Sequence, residues 1–370
     1  MLHGRVTASV PSADRRWVPC PGLPEAVAVD FAPDPTTPES LYLLAGPGLQ
    51  RSLDGGATWT ALPQSRPMFM SRLVLDPRTA GTLYVLPGSD EDSLASLYKS
   101  VDGGATFQPS GLPPGLRIED LAIDPRDSRH LLAAGSARRL CAAFQSADGG
   151  ASWTSFADNL AELADGGSFT AVRFDPVDPR NVYLVGCKRN FKSADGGITW
   201  APFFPDGALA GLEIDPLQPD VLYAAAPRLQ KSTDGGRTWR AVDSLPGAVQ
   251  RLAVDPHVPG GVYAVTADQG VWASTDGGAH WASIGEGLPG MPVQTLAVDP
   301  FQPGHLFVAT LGHRGLYTLA LEPPAGKNLA ALLESVATAG RGRGEPRRQR
   351  GGGRRAPTSP RRVAWIISGL

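Results

Sequence analysis

The chain has 370 residues, 19% of them charged, with 44 Gly, 35 Pro and a formal net charge of −2. No apolar run reaches the roughly 18 residues that a membrane-spanning helix needs. The three cysteines, Cys20, Cys141 and Cys187, lack the C-x-x-C spacing of a zinc or redox motif, so they are expected to be buried thiols. The sequence also contains no Walker loop, no H-E-x-x-H, no Rossmann glycine pattern and no G-x-S-x-G, so neither a cofactor nor a metal is expected.

Short apolar-alternating runs ending in Asp-Pro recur along the chain. They end at Asp34-Pro35, Asp76-Pro77, Asp124-Pro125, Asp175-Pro176, Asp215-Pro216, Asp255-Pro256 and Asp299-Pro300. An aromatic-aliphatic run follows most of them, as in Leu41-Tyr-Leu-Leu44, Thr82-Leu-Tyr-Val85 and Val221-Leu-Tyr-Ala224. Alternation with β-branched and aromatic residues reads as strand, and a proline that cannot donate to a ladder marks the strand's end.

A second marker follows each of the first six pairs. It is Ser52-Leu-Asp54-Gly-Gly-Ala-Thr-Trp59, repeated at Ser100/Asp102/Phe107, Ser146/Asp148/Trp153, Ser193/Asp195/Trp200, Ser232/Asp234/Trp239 and Ser274/Asp276/Trp281. The starts are 48, 46, 47, 39 and 42 residues apart, a period that signals repeated structural units. The aspartate is placed to accept backbone N–H bonds two or three residues on. The glycine pair supplies positive φ, and the closing ring opens the next strand with a large apolar surface to bury. Each unit therefore reads as four strands. A ends in Asp-Pro, B carries Leu-Tyr, C runs into the Ser-Asp-Gly-Gly turn, and D starts at its aromatic. Seven A strands predict an all-β, seven-bladed β-propeller of four-stranded antiparallel blades over residues 10–321. The last unit lacks a D strand. Arg16-Trp17-Val-Pro-Cys-Pro-Gly-Leu-Pro24 matches Trp281–Pro289, so the N-terminal strand is expected to close the ring, with Ser12-Ala-Asp14 as a worn copy of the turn.

The repeated turn resembles the Asp-box (BNR) pattern S-x-D-x-G-x-[TS]-[WF]. That pattern occurs in sialidases, sortilin-type receptors, xyloglucanases and photosystem II assembly-factor-like propellers. The resemblance covers the whole propeller and implies the fold; shared by so many activities, it is nearly silent on function. Relatives with the box are often exported, whereas Met1–Val10 holds no apolar stretch of signal-peptide length, so the sequence as written reads as cytoplasmic.

In such a topology the A–B and C–D connections share one face, which makes the Asp boxes structural, and ligands are expected on the opposite face. There the B–C connections carry Arg138, Arg139, Lys188, Arg189, Arg228, His313 and Arg314, set against Asp90, Glu91 and Asp92 in unit two and Asp158, Glu162 and Asp165 in a D–A connection. A basic mouth attracts an acidic protein segment or a glycan. The A strands place Arg72, Asp120, Arg173, Glu213 and Arg251 near the channel, read as a salt-bridged ring. Only Asp120 and Glu213 would suit acid–base work. The Arg-Ile-Pro signature of sialidases is absent, since Arg117-Ile118 is followed by Glu119, and xyloglucanases pair two propellers where one is seen here. The expectation is a monomeric, non-catalytic binding or assembly scaffold, most like the photosystem II assembly-factor type. A glycoside hydrolase acting at the channel mouth is the alternative.

Residues 322–339 read as a linker or short helix, with Leu329, Leu332, Leu333 and Val336 at helical spacing. Residues 340–370 read as a disordered Arg/Gly-rich tail. Nine Arg against one Glu from Ala339 onward give +8, leaving −10 on the rest. Nucleic acid would be met only through this tail.

Overall fold

The computed structural model describes residues 16–321, apart from 24–26, 47, 64–69, 89–96, 138–139, 157–159, 161–166, 187–188, 205–208, 269, 291 and 311–314. Every regular element among them is a strand, and no described helix is long and apolar enough to cross a membrane. The 28 strands form seven four-stranded antiparallel sheets. Within each sheet neighbouring strands follow chain order, as a meander of short turns requires. The exception is the last sheet, where Val18–Pro19 pairs with Leu316–Ala320. The N-terminal strand thus supplies the missing D strand, and Trp17 anchors it, 2% exposed, with its indole donating to the Ile284 carbonyl at 2.6 Å.

The innermost strands are Ala28–Pro33, Met70–Leu75, Leu116–Ile123, Phe169–Phe174, Gly211–Ile214, Val249–Val254 and Val293–Val298, in blades one to seven. Each contacts the inner strand on either side, and the seventh contacts the first, so the ring is closed. The D strands at the periphery are only two or three residues long, which limits edge-to-edge pairing.

Apolar side chains form seven separate clusters, one at each boundary between neighbouring blades. Tyr42, Leu44 and Leu49 of blade one, for instance, meet Met70, Leu73 and Leu83 of blade two. Four boundaries add a polar clamp. Lys99, Lys192 and Lys231 lie over Tyr84, Tyr183 and Tyr223 and donate to the carbonyls of Gly149, Gly235 and Gly277 in the next blade, at 2.8, 2.8 and 2.6 Å. Arg51 covers Tyr42 in the same manner. A desolvated cation over an aromatic face gains more than an exposed one.

Two expectations need correction. The first concerns the rings that close the Asp boxes: Trp59, Phe107, Trp153, Trp200, Trp239 and Trp281. None of the six belongs to a D strand. The D strands begin one residue later, at Thr60, Gln108, Thr154, Ala201, Arg240 and Ala282. The six rings are also only half-buried, in contrast to Trp17. The reason is their position at the rim. Each packs against the outside of a blade-boundary cluster and does not enter it, as Trp59 does beside Leu41, Phe107 beside Leu83 and Trp153 beside Leu131. Trp200 stacks on Phe156, with centroids 5.3 Å apart, and Trp239 meets Phe203 and Phe204 edge-on at 5.7 and 4.8 Å. Such paired rings gain from their geometry as well as from the area they bury.

The second correction concerns cysteine. Cys20 is a free, buried thiol, its pKa pushed up to about 12 by desolvation. Cys141, however, is disulfide-bonded, with its partner outside the described residues. Linear spacing could not reveal this, because the ring brings together residues from different repeats.

Candidate functional site

All six Asp boxes share one geometry. The serine hydroxyl donates to the aspartate at 2.7–2.9 Å and accepts the second glycine's N–H at 2.8–2.9 Å. The aspartate in turn accepts the backbone N–H four residues on, as Asp54 does from Thr58 and Asp195 from Thr199. The bond expected three residues on is present as well, as from the Ile198 N–H to Asp195 at 3.1 Å. The glycines sit at φ of 68–78° and 87–93°, where a Cβ would be strained. In the five tryptophan boxes the indole of Trp59, Trp153, Trp200, Trp239 or Trp281 closes the loop by donating to the second glycine's carbonyl at 2.9–3.1 Å. This bond holds the ring back over its own turn. Phe107 has no N–H to donate, and its box relies on ring packing alone for the same closure. The first glycine's N–H bonds back to the A–B turn of its own blade, as Gly55 to Glu39 and Gly196 to Arg180. Box and Asp-Pro turn therefore lie on one face, and the serine, aspartate and glycine groups named here bond within the fold.

The Asp-Pro aspartates are equally occupied. All seven are at least nine-tenths buried, and each accepts the N–H two residues on, at 2.7–2.9 Å.

The inner strands are different. Four residues before each Asp-Pro aspartate the chain carries Asp30, Arg72, Asp120, Ala171, Gly211, Arg251 and Thr295. Blades four and five, small at that level, place Arg173 and Glu213 two residues later. Taken in order, the polar residues are Asp30, Arg72, Asp120, Arg173, Glu213, Arg251 and Thr295, a ring of alternating charge. Seven positions cannot alternate without a clash, and neutral Thr295 resolves it by donating its hydroxyl to Asp30 at 3.2 Å.

Six of the seven inner strands carry a bulge, between Ala28/Asp30, Met70/Arg72, Ile118/Asp120, Phe169/Ala171, Val249/Arg251 and Val293/Thr295. A bulge leaves backbone groups without ladder partners, and ring residues of the preceding blade take several of them. Asp30 accepts the Leu73 N–H at 2.8 Å, and Asp120 accepts that of Val172 at 2.9 Å. Arg72 donates to the Glu119 carbonyl at 2.9 Å, and Arg251 to that of Gln294 at 2.7 Å. Carboxylates thus cap N–H groups and guanidiniums cap C=O groups, across successive blade boundaries.

Asp120 is the centre of this network. It is 0% exposed, 2.9 Å from Arg72, bonded to Arg173, and accepts the Leu121 N–H at 2.8 Å. Arg173 also approaches Glu213, at 3.6 Å. Burial pushes the Glu213 carboxyl up to about 7 against the pull of Arg173, and Asp30 up to about 6 against that of Arg72. The structure therefore brings together Arg72, Asp120, Arg173 and Glu213, as the sequence suggests. It places Arg251 on backbone carbonyls instead of on a carboxylate. Asp30 and Thr295 are ring members that sequence reasoning missed; counting back four residues from every Asp-Pro would have found both.

Of the expected basic face, Arg138, Arg139, Lys188, His313 and Arg314 lie outside the described residues, as do Asp90, Glu91, Asp92, Asp158, Glu162 and Asp165. Arg189 immediately precedes the Asn190–Ser193 strand. Arg228 is exposed and paired with Asp243 at 2.9 Å. A groove at the rim between blades five and six, lined by Lys231, Arg240, Asp243 and Asp276, lies away from the ring, and its Lys231 is already committed to Gly277.

No family model matches the chain. A probable oligoxyloglucan-reducing end-specific xyloglucanase of Neosartorya fischeri is 30% identical over 150 residues, which are 34% of this chain and 18% of that enzyme. The match thus spans under a fifth of the relative's length. Among solved structures, the GH74 xyloglucanase of Xanthomonas campestris is similar over 82% of this chain and 53% of its own, with 22% identity and a TM-score of 0.60. YCF48 bound to a D1 peptide is similar over 85% of this chain and 100% of its own, with 16% identity and a TM-score of 0.59. At such identities the likeness establishes the propeller fold.

Proposed function

We propose that this propeller is a non-catalytic binding or assembly scaffold that docks an acidic protein segment on its B–C/D–A face. The observation that carries the reading is Asp120. One half of the acid–base pair that hydrolysis would require is fully buried, and it is saturated by two guanidiniums and two backbone amides. A carboxylate held in that way has no oxygen left for a substrate proton. Two further points support the reading. The chain matches YCF48 over that protein's whole length and a peptide is bound there, whereas the curated xyloglucanase is matched over 18% of its length. The docking residues are Arg138, Arg139, Lys188, Arg189, Arg228, His313 and Arg314, whose charge would speed the encounter with an acidic segment.

The test is capture of acidic peptides by the wild type and by a variant with Arg138, Arg139, Lys188 and Arg189 replaced by Ala. Capture should weaken and become less salt-dependent, with an unchanged melting temperature. Equal capture by the two proteins removes this face from consideration. The hydrolase reading retains one support, the xyloglucanase match, and predicts release of reducing ends from xyloglucan that is lost in Glu213→Gln.

A further inference from the structure

The cysteines of this chain have two fates. Cys20 is a free thiol, whereas Cys141 is disulfide-bonded. The sequence holds one further cysteine, Cys187, so the partner of Cys141 follows by elimination. Cys141 is the second residue of strand C in blade three, Leu140–Ser146, opposite Ser136 and one pair from the end of the ladder at Ala137↔Leu140. It is 9% exposed and packs in the apolar cluster between blades three and four, with Ala134 and Ala143 of its own blade and Val182, Leu184 and Phe191 of the next. Cys187 directly follows strand B of blade four, Val182–Gly186, in the sequence. The Gly186 N–H donates to the Asn190 side chain at 3.1 Å, which ties together the two ends of that blade's short B–C connection. The two cysteines thus belong to the B–C ends of neighbouring blades, across one boundary.

That boundary is unlike those around it. From blade one to blade six there are five boundaries, and at four of them the preceding blade pairs a tyrosine with a cation across strands B and C. The pairs are Tyr42↔Arg51, Tyr84↔Lys99, Tyr183↔Lys192 and Tyr223↔Lys231, the clamps described above. In blade three the same pair is Leu132↔Gln145, so the clamp is missing where the disulfide lies. A cross-link between segments a whole repeat apart restricts the unfolded chain and holds the blades together without it. Cys20 does not interfere. It is buried in the cluster between blades seven and one, and burial pushes its thiol up to about 12, so it offers no thiolate for exchange.

We propose that a Cys141–Cys187 bridge ties blade three to blade four on the docking face, and that capture of an acidic segment depends on the bridge being closed. The second half rests on the docking function proposed above. Arg138 and Arg139 stand three and two residues before Cys141, and Lys188 and Arg189 follow Cys187 directly. A disulfide holds its Cα atoms about 4.4–6.8 Å apart, so the closed bridge gathers four cations from two blades for one acidic segment. Their mutual repulsion favours separation once it opens. Opening takes a dithiol reductant. Its two thiols give two electrons and two protons to the S–S bond, leaving two cysteine thiols and a disulfide on the reductant, and a disulfide oxidant reverses the exchange.

The experiment uses the full chain, oxidised and after treatment with dithiothreitol. A non-reduced digest should contain the Cys141 and Cys187 peptides linked, with Cys20 alkylated only after unfolding. Reduction, and separately Cys187→Ser, should each lower the melting temperature by at least about 5 °C. Each should also weaken capture of an acidic peptide about tenfold, whereas Cys20→Ala should leave capture sensitive to dithiothreitol. Reduction of the wild type provides the comparison if Cys187→Ser fails to fold. Unlinked Cys141 and Cys187 in the oxidised protein overturn the proposal, and so does equal capture with the bridge open and closed. If no form captures the peptide, the docking function falls and the redox control with it, while the digest and the melting temperature still decide the bridge.

Discussion

The Asp-box rim and the inner ring are two circles built from the same seven blades, and they differ in kind. On the rim the same serine, aspartate and glycines make the same bonds six times, within 0.2 Å. In the ring no two adjacent blades carry the same polar residue, yet each depends on the blade beside it. The rim is local: the bonds of box serine and aspartate stay inside one turn, as do the indole bonds to the second glycine, although Trp153 also donates to the Ser110 hydroxyl of the preceding blade at 2.9 Å. The ring is relational, since Asp30 serves blade two, Arg72 serves blade three and Asp120 serves blade four. Repetition marks what every blade needs to fold. Departure from repetition marks where one blade is tied to the next, and in blades four and five the tie is the Arg173–Glu213 pair.

The largest expected effect breaks the ring. Asp120→Ala leaves Arg72 and Arg173 buried without their shared counter-charge and should cost about 3–5 kcal/mol in urea unfolding. A cost below about 1 kcal/mol would mean the arginines find other partners. The next tests the rim. Ser193 is 1% exposed and accepts the buried Gly197 N–H at 2.8 Å, so Ser193→Ala should cost about 1–3 kcal/mol. The equivalent change in another box should cost the same within experimental error, because the boxes do not share bonds. Unequal costs would contradict the picture of independent turns.

The two circles also respond oppositely to pH. Hydrogen bonds from the threonine or serine hydroxyl, the backbone and the box serine lower Asp54, Asp102, Asp148, Asp195 and Asp234 to about 2. A depressed folded pKa contributes stability above the unfolded value near 4, and this is lost as pH falls toward 2. Glu213 and Asp30 are raised, to about 7 and about 6. Their folded state holds protons that the unfolded chain has released, so stability falls as pH rises from about 4 to 7. Stability should therefore peak in mildly acidic solution. Glu213→Gln should flatten the upper slope and leave the acid limb unchanged, as read from unfolding midpoints across pH. An unchanged upper slope would remove Glu213 as its source. The smallest effect falls on a clamp between blades: Lys192→Met keeps the stem over Tyr183, forfeits the bond to the Gly235 carbonyl, and should cost about 1 kcal/mol.

The same contrast explains how much of the molecule the sequence discloses. An Asp box occupies eight contiguous residues, so its pattern survives in one dimension. The Asp-Pro strand ends and the displaced closing strand at Trp17 are legible for the same reason. What the pattern does not show is that the closing rings, Phe107 and Trp200 among them, stay at the rim half-buried, since an aromatic at a strand's threshold looks the same in sequence whether it turns inward or folds back. Ring members lie roughly 40–50 residues apart, change residue type from each blade to the next, and in blades four and five sit two positions out of step. Asp120, Arg173 and Glu213 can be seen as charges in apolar strands. Asp30 looks like any strand-edge aspartate, and Thr295 like a neutral filler. Bulges leave only a weak sequence signature here, because the bulged residues Val29, Ser71, Glu119, Thr170, Gln250 and Gln294 span five residue types and share no more than a leaning toward polar side chains.

The central claim is that Asp120 belongs to the fold and not to a reaction. It is tested most directly by the unfolding free energy of Asp120→Asn, measured in urea beside the wild type. The near-isosteric amide removes the charge that two buried guanidiniums share and turns one of the two accepting oxygens into a donor. The account predicts a loss of at least about 2 kcal/mol. Unchanged or increased stability, as often follows when a strained active-site group is removed, would contradict it and return the channel mouth to the hydrolase reading.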